Sequence, residues 1–173
     1  YQARPKIFAK HIIKPDMLFE RVVEIDERVR ADGTVEQAPD LKTVRAALEA
    51  AKADGIKAVA IVFMHAYRYP EHERQVAAVA RELGIPLVAV SPEVSPLIKL
   101  VGRGDTTVVD AYLSPILRRY VAQVREQLEG QPHPEEPEQS ESVSKHESAP
   151  RLMFMMSSGG LTAADLFQGK DAI

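Results

Sequence analysis

The sequence of 173 residues contains no cysteine, no block of basic residues and no apolar run long enough to cross a membrane. The absence of cysteine excludes disulfides, thiolate metal sites and a cysteine nucleophile. A net charge of −3 without a basic cluster argues against a surface that binds nucleic acid. What is present is an apolar content of 45%, which is enough for one ordinary domain or two small ones. We therefore expect a cytoplasmic protein with no nucleic-acid partner and no membrane contact.

The centre of the sequence alternates between helical and strand patterns. Asp40 precedes apolar residues at helical spacing, and the Asp-Gly pair at 54–55 ends that pattern. Residues 56–64 form a nearly continuous apolar run, which is typical of a strand buried on both faces. A second amphipathic helix at 71–83 leads to another apolar strand at 86–90. This order predicts an α/β fold in which helices flank a parallel sheet.

Other elements surround this centre. The Asp-Gly pair at 32–33 predicts the turn of an exposed β-hairpin. Residues 106–128 keep an apolar stripe at helical spacing, which Pro115 is expected to kink unless Ser114 caps a restarted helix. Residues 130–150 are rich in proline, glutamate and serine, and this composition predicts a disordered insert.

The leading candidate site is the Ser-Ser-Gly-Gly turn, residues 157–160. It follows the apolar run 152–156, and a helical pattern opens after it at Leu161, so the sequence predicts strand, turn and helix. Such a turn brings backbone N–H groups and hydroxyls close to a phosphate or a carboxylate. The alternative is a flexible connection without a ligand. The candidate substrate- or phosphate-binding residues of this turn are Ser157, Ser158, Gly159 and Gly160.

Two further candidates, His65 and Tyr67, follow the buried run at 56–64. Ligands of open α/β sheets bind beyond the carboxyl ends of strands, which favours a substrate contact at these two residues. The alternative is a capping or surface role. His72 lies seven residues after His65, a spacing that does not predict a shared metal site, so no metal ligand is assigned.

The last candidate is Arg103, in a segment punctuated by proline and glycine, residues 91–104, which we interpret as a domain crossing. The functional interpretation is a hinge whose guanidinium reaches an anion between two domains. The alternative is that this stretch only starts the next helix, with Asp105 or Thr106 as its N-cap.

Five short motifs occur in order along the chain, at residues 4–8 (RPKIF), 24–29 (EIDERV), 70–73 (PEHE), 106–113 (TTVVDAYL) and 156–161 (MSSGGL). Together they resemble the hydantoinase A/5-oxoprolinase family. The tail at 167–173 is most similar to the 5-oxoprolinase branch.

This resemblance implies parts of two α/β lobes of an actin-like ATPase (ribonuclease H-like) fold. Residues 1–104 would form the C-terminal part of the N-terminal lobe. Residues 105–173 would begin the hydantoinase A lobe, interrupted by the insert at 130–150. The family's acidic-Gly-Gly-Thr phosphate loop is not in this sequence, and Tyr1 stands in place of a start methionine. We therefore expect an internal fragment whose main nucleotide motifs lie outside it and which is inactive alone.

The resemblance also implies a reaction, in which 5-oxo-L-proline, ATP and water give L-glutamate, ADP and phosphate. The implied cofactors are ATP and Mg²⁺. The implied partners are 5-oxoproline, the remainder of the same polypeptide and a second copy in a homodimer. Hydantoin-type ring hydrolysis stays open because both substrates are five-membered cyclic amides. A non-catalytic α/β module that binds a partner also stays open, and no catalytic residue is identified.

Overall fold

The computed structural model describes residues 8, 10–11, 16–129 and 152–172. In chain order their elements are β1 (Arg28–Val29), β2 (Val35–Gln37), α1 (Leu41–Ala53), β3 (Ala58–Ile61), α2 (Glu71–Glu82), β4 (Leu87–Val90), α3 (Ser91–Val94), α4 (Leu100–Glu129), β5 (Met153–Met155), β6 (Leu161–Ala163) and the 3₁₀ turn Gly169–Ala172. The predicted disordered insert at 130–150 lies outside the described residues. Among the described residues, no helix is both long and apolar enough to cross a membrane.

The central sheet pairs β3 and β4 in parallel, from Ala58 opposite Leu87 to Ile61 opposite Val90. Successive side chains of a strand point to opposite faces, so each strand supplies two layers of core. One face packs against α1 and α2, through Val44, Ile61, Val76, Ala77, Val79 and Val90. The opposite face packs against α4, through Ala58, Ala60, Leu87, Ala89 and Ala111. The prediction of parallel strands between helices is confirmed, although β3 is shorter than the apolar run.

Local signals set the ends of the first elements as the sequence predicts. The Asp40 carboxylate caps α1 by accepting from the Lys42 N–H at 3.0 Å. Gly55 takes the left-handed φ of 87° just after the helix ends. Strands β1 and β2 form the predicted antiparallel hairpin, and Gly33 at φ 94° makes its turn.

Helix α4 begins at Leu100 rather than near residue 106, so the predicted N-cap at Asp105 or Thr106 is wrong. The Thr106 hydroxyl instead donates to the carbonyl of Gly102 at 2.9 Å inside the helix. Pro115 also lies within one continuous helix, and Ser114 caps no restart. Gly102 and Gly104 lie inside this helix. A glycine weakens a helix by only about 1 kcal/mol, and the tertiary packing of the first turn of α4 offsets that cost.

The C-terminal segment is an antiparallel hairpin of β5 and β6 joined by the Ser-Ser-Gly-Gly turn. The predicted helix at Leu161 is therefore wrong. Leu161, Ala164 and Phe167 have helical spacing, but Leu161 is 62% exposed in β6 and only the other two are buried. A strand followed by a turn reproduces the same spacing, and Phe167 then stacks on Phe154 with ring centroids 5.1 Å apart.

Candidate functional site

A loop at the carboxyl end of β3, residues 62–69, carries two of the predicted site residues. His65 and Tyr67 are half-buried, and their ring centroids lie 6.3 Å apart in a tilted arrangement. The backbone N–H of Tyr69 donates to the His65 carbonyl at 2.9 Å, which closes a turn around Tyr67. Both rings therefore lie beyond a strand end, where ligands of open α/β sheets bind.

The third predicted residue, Arg103, lies in the first turn of α4 and is fully buried. Its Nε donates to the Ser91 hydroxyl at 2.8 Å, and its Nη1 donates to the Leu97 carbonyl at 2.7 Å. Its Nη2 donates to the carbonyls of Phe63 and Met64 in the loop. All three nitrogens are thus engaged within the protein, and an anion would have to replace one of these bonds. Anion binding by Arg103 stays a prediction.

Arg103 also contacts the aromatic part of the loop. Its Cζ lies 5.8 Å from the centroid of the Tyr67 ring, within the range of a cation–π contact. The structure therefore brings His65, Tyr67 and Arg103 into one cluster, although the three are far apart in the sequence. What joins them is the packing of the first turn of α4 under the end of β3.

Below this cluster lies a carboxylate that the sequence interpretation missed. Glu73 of α2 is fully buried, and its Oε1 accepts from the Phe63 N–H at 2.6 Å and from the Ser91 hydroxyl at 2.7 Å. Its Oε2 accepts from the Ser91 N–H at 2.9 Å. Burial raises the pKa of Glu73, while the hydrogen bonds from Ser91 and Phe63 and the charge of Arg103 oppose the rise. We call Glu73, Ser91 and Arg103 the buried network.

One sequence signal could have identified Glu73. It continues the apolar stripe of α2 formed by Val76, Ala80 and Leu83, so it occupies a position that faces the core. A charged residue on such a stripe needs a partner, because an unpaired buried carboxylate is costly. Ser91 carries no comparable signal, since a serine after a strand is common in loops.

His72, next to Glu73, is buried. Its Nδ1 lies 2.6 Å from the Oε2 of Glu27, and both side chains are less than a tenth exposed. This contact fastens the segment before β1 to the start of α2. His72 thus has a structural partner and stands apart from His65.

The Ser-Ser-Gly-Gly turn has the geometry of a tight hairpin connection. The Met156 N–H donates to the Gly160 carbonyl at 2.7 Å, and the Gly159 N–H donates back to the Met156 carbonyl at 2.9 Å. Gly159 has φ 91°, a left-handed conformation that favours glycine. The Gly159 N–H is therefore engaged within the turn.

The two serines of the turn differ in their surroundings. The Ser157 N–H donates to the Asp171 carbonyl at 2.8 Å, and its hydroxyl donates to the same oxygen at 3.2 Å. Ser158 is exposed, and within the described part of the chain its hydroxyl forms no hydrogen bond. Ser158 is thus the side-chain donor that this turn presents to solvent.

The 3₁₀ turn that holds Ser157 is itself fastened to α4. The Gly169 N–H donates to the Ser114 hydroxyl at 2.9 Å, and the Lys170 N–H donates to the Asp110 Oδ1 at 2.7 Å. Ser114 lies about three helical turns beyond Arg103. Within the described residues no hydrogen bond, ion pair or ring contact joins the Ser-Ser-Gly-Gly turn to the Arg103 cluster, so the candidates form two separate groups.

The resemblance implies Mg²⁺ with ATP, which calls for a group of cation-binding side chains. Across residues 16–129 and 152–172, histidine, aspartate and glutamate side chains nowhere gather in a group of three or more that could hold a metal ion. No metal ligand is therefore assigned among the described residues, and no chemical step is derived through a metal ion.

The chain is similar in sequence to known proteins along nearly its whole length. Residues 1–84 match the family model of the hydantoinase/oxoprolinase N-terminal region, and residues 103–173 match the hydantoinase/oxoprolinase model. A 5-oxoprolinase of Saccharomyces cerevisiae is 34% identical over 99% of this chain. That alignment covers 14% of the yeast protein, so the chain spans a small part of its relative's length.

Two solved structures share the fold. An ATP-dependent caprolactamase from Pseudomonas jessenii is 34% identical, with a TM-score of 0.59 over 62% of this chain and 16% of its own. A nucleotide-free acetone carboxylase is 20% identical, with a TM-score of 0.62 over 85% of this chain and 19% of its own. The predicted α/β, actin-like fold class is confirmed, whereas the division into lobes at 104 and 105 stays a prediction. The chain belongs to the hydantoinase/oxoprolinase family.

Proposed function

We propose that this chain is part of a larger ATP-dependent hydrolase that opens 5-oxo-L-proline to L-glutamate while ATP gives ADP and phosphate. The observation that carries the proposal is the 34% identity to a 5-oxoprolinase over 99% of the chain. ATP and Mg²⁺ are assigned to the remainder of the polypeptide. A cyclic amide is a poor electrophile, so its carbonyl oxygen must be activated before water attacks, in a site that excludes bulk water.

The surface beside β3 supports a role within a larger polypeptide. Among the described residues no strand pairs with the outer edge of β3. That edge lies in a groove of about 720 Å³ between α1, α4 and residues 18–23. Val22, in residues 18–23 at the side of this groove, is 69% exposed. An open strand edge with exposed apolar side chains beside it is a surface that proteins normally cover. The same surface suits the non-catalytic alternative, a module that binds a partner, so the assay must separate the two.

The deciding experiment uses the complete polypeptide that contains this chain. We expect 5-oxoproline to stimulate ADP release, with one glutamate formed per ATP hydrolysed. Hydantoin and caprolactam are assayed in parallel, the latter because the caprolactamase shares 34% identity. Turnover of hydantoin or caprolactam without 5-oxoproline turnover would correct the substrate. A folded polypeptide with no lactam-dependent ATP hydrolysis would support the partner-binding module instead.

Within this function the Ser-Ser-Gly-Gly turn is proposed to contact substrate or phosphate, chiefly through the exposed Ser158 hydroxyl. His65 and Tyr67 are proposed as a second group of contacts at the end of β3. Ser158→Ala in the complete polypeptide is expected to lower kcat/KM by about tenfold, as loss of one hydrogen bond to a charged oxygen costs about 1–3 kcal/mol. Steady-state kinetics for ATP and 5-oxoproline measure this change.

Gly159→Val tests the proposed contact of the Ser-Ser-Gly-Gly turn in a second way, with Gly55→Val as its matched control. Gly159 and Gly55 both have left-handed φ values, 91° and 87°, and neither has atoms within 4 Å of an added Cβ. Valine at either position costs similar backbone strain, about 1–3 kcal/mol. We expect only Gly159→Val to lower kcat/KM, whereas Gly55→Val lowers the melting temperature alone. Equal kinetics for the two variants would show that the Ser-Ser-Gly-Gly turn is a structural connection.

A further inference from the structure

The buried network holds the backbone of Phe63 by hydrogen bonds to both its N–H and its carbonyl. The Phe63 N–H donates to the Glu73 carboxylate at 2.6 Å, and the Phe63 carbonyl accepts from the Arg103 guanidinium. Ser91 joins the two charged groups, because its hydroxyl donates to Glu73 at 2.7 Å and accepts from Arg103 at 2.8 Å. Phe63 lies two residues before His65. The loop that carries the proposed substrate contacts is therefore anchored at its first turn.

The composition of the network is not explained by stability alone. Glu73, Ser91 and Arg103 each have zero exposed surface. Burying charged groups of opposite sign often contributes no more to stability than apolar side chains of the same volume would. A guanidinium, however, offers donors in a fixed planar fork, which can hold several carbonyls at set angles. Arg103 uses that fork on Met64 and Phe63 on one side and on Leu97 on the other.

Tyr67 extends this anchoring to a side chain that reaches the surface of the loop. Its ring lies 5.8 Å from the Arg103 Cζ, and the His65 ring lies 6.3 Å from the Tyr67 ring. A displacement of the guanidinium thus changes the support of both rings. Misplacing a contact group by about 1 Å can lower a reaction rate 100-fold.

We infer that Arg103, together with Ser91 and Glu73, is a positioning residue that sets the geometry of residues 62–69 and thereby of His65 and Tyr67. This role replaces direct anion binding as the main task of Arg103, and it rests on the proposed function for its consequence in catalysis. The network acts through backbone that it holds, without touching substrate.

The test compares two buried hydroxyls in the complete polypeptide. Ser91→Ala removes the hydroxyl that joins Glu73 to Arg103. Thr107→Val removes an equally buried hydroxyl, which donates to the Arg103 carbonyl at 2.6 Å within α4 and, among the described residues, forms no hydrogen bond to residues 62–69. Both variants are expected to lower the melting temperature by a few degrees. Only Ser91→Ala is expected to lower kcat, by at least tenfold, with KM changed less than threefold.

A second readout reports the loop directly. Hydrogen exchange of the Phe63 and Tyr69 amides is expected to speed up at least tenfold in Ser91→Ala and to stay unchanged in Thr107→Val. Arg103→Lys keeps the charge but loses the fork, so its loss of kcat should exceed that of Ser91→Ala. Equal kcat and equal exchange in Ser91→Ala and Thr107→Val would overturn the inference. If the wild-type polypeptide turns over no lactam, the proposed function fails, and the exchange comparison still decides whether the network positions the loop.

Discussion

Ile61→Asp is expected to unfold the protein. Ile61 is 6% exposed and packs in the core cluster with Val44, Val76 and Val90. An unpaired carboxylate there costs several kcal/mol in desolvation, and the lost apolar contacts add about 2–5 kcal/mol. Domains of this size are stable by about 5–15 kcal/mol, so the change consumes most of that margin. Circular dichroism with a denaturant titration measures the free energy of unfolding.

Val35→Asp is the matched control for this substitution. Val35 is also a β-branched strand residue, but it lies in β2 and is 54% exposed. We expect the free energy of unfolding to change by about 0.5 kcal/mol or less. Similar losses for the two variants would mean that Ile61 is not part of the core that holds α1 and α2 on the sheet.

The parallel pair of strands could be predicted because both faces of β3 and β4 are covered. Ala60 packs towards α4 while Ile61 packs towards α1 and α2, so neither position tolerates a polar side chain. This requirement appears in the sequence as a run of apolar residues that does not alternate with polar ones. The N-cap and the C-terminal turn of α1 were predictable for a different reason. Asp40 acts through a hydrogen bond to a backbone N–H two residues away, and Gly55 acts through its own left-handed backbone conformation.

The start of α4 could not be predicted from the same rules. Gly102 and Gly104 indicate a loop by local preference, yet both lie within the helix. The decisive interaction is non-local, because Arg103 between them reaches Phe63 and Ser91. The composition of residues 91–104 therefore indicated a loop up to residue 104, whereas α4 already begins at Leu100.

The candidate site was predictable in part for a related reason. The ends of strands can be located from the sequence, and this placed His65 and Tyr67 correctly beyond β3. The buried network could not be found that way, since it joins residues from α2, α3 and α4 that no spacing relates. The Ser-Ser-Gly-Gly turn was located correctly. The segment after it resembles a helix in spacing because the buried Ala164 and Phe167, which follow β6, lie three and six residues after Leu161.

Gly169→Ala is expected to detach the 3₁₀ turn from α4. An added Cβ would lie 2.8 Å from the Asp110 carbonyl oxygen and 2.9 Å from its Cα, and helix backbone cannot move aside cheaply. Relief of this overlap also breaks the bonds from the Gly169 and Lys170 N–H groups to Ser114 and Asp110. We expect a loss of about 2–4 kcal/mol, from overpacking and from the loss of one buried and one partly buried hydrogen bond. Denaturant titration followed by circular dichroism measures it.

Gly102→Ala supplies the control, because it is the same substitution made on the same helix that Gly169 contacts. No atom lies within 4 Å of an added Cβ at Gly102, and the residue lies inside α4. Alanine there should stabilise the protein by about 0.5–1 kcal/mol through helix propensity. The two variants therefore shift the free energy of unfolding in opposite directions. A neutral or stabilising Gly169→Ala would contradict the close packing of the 3₁₀ turn on Asp110, and with it the support that Asp171 gives to Ser157.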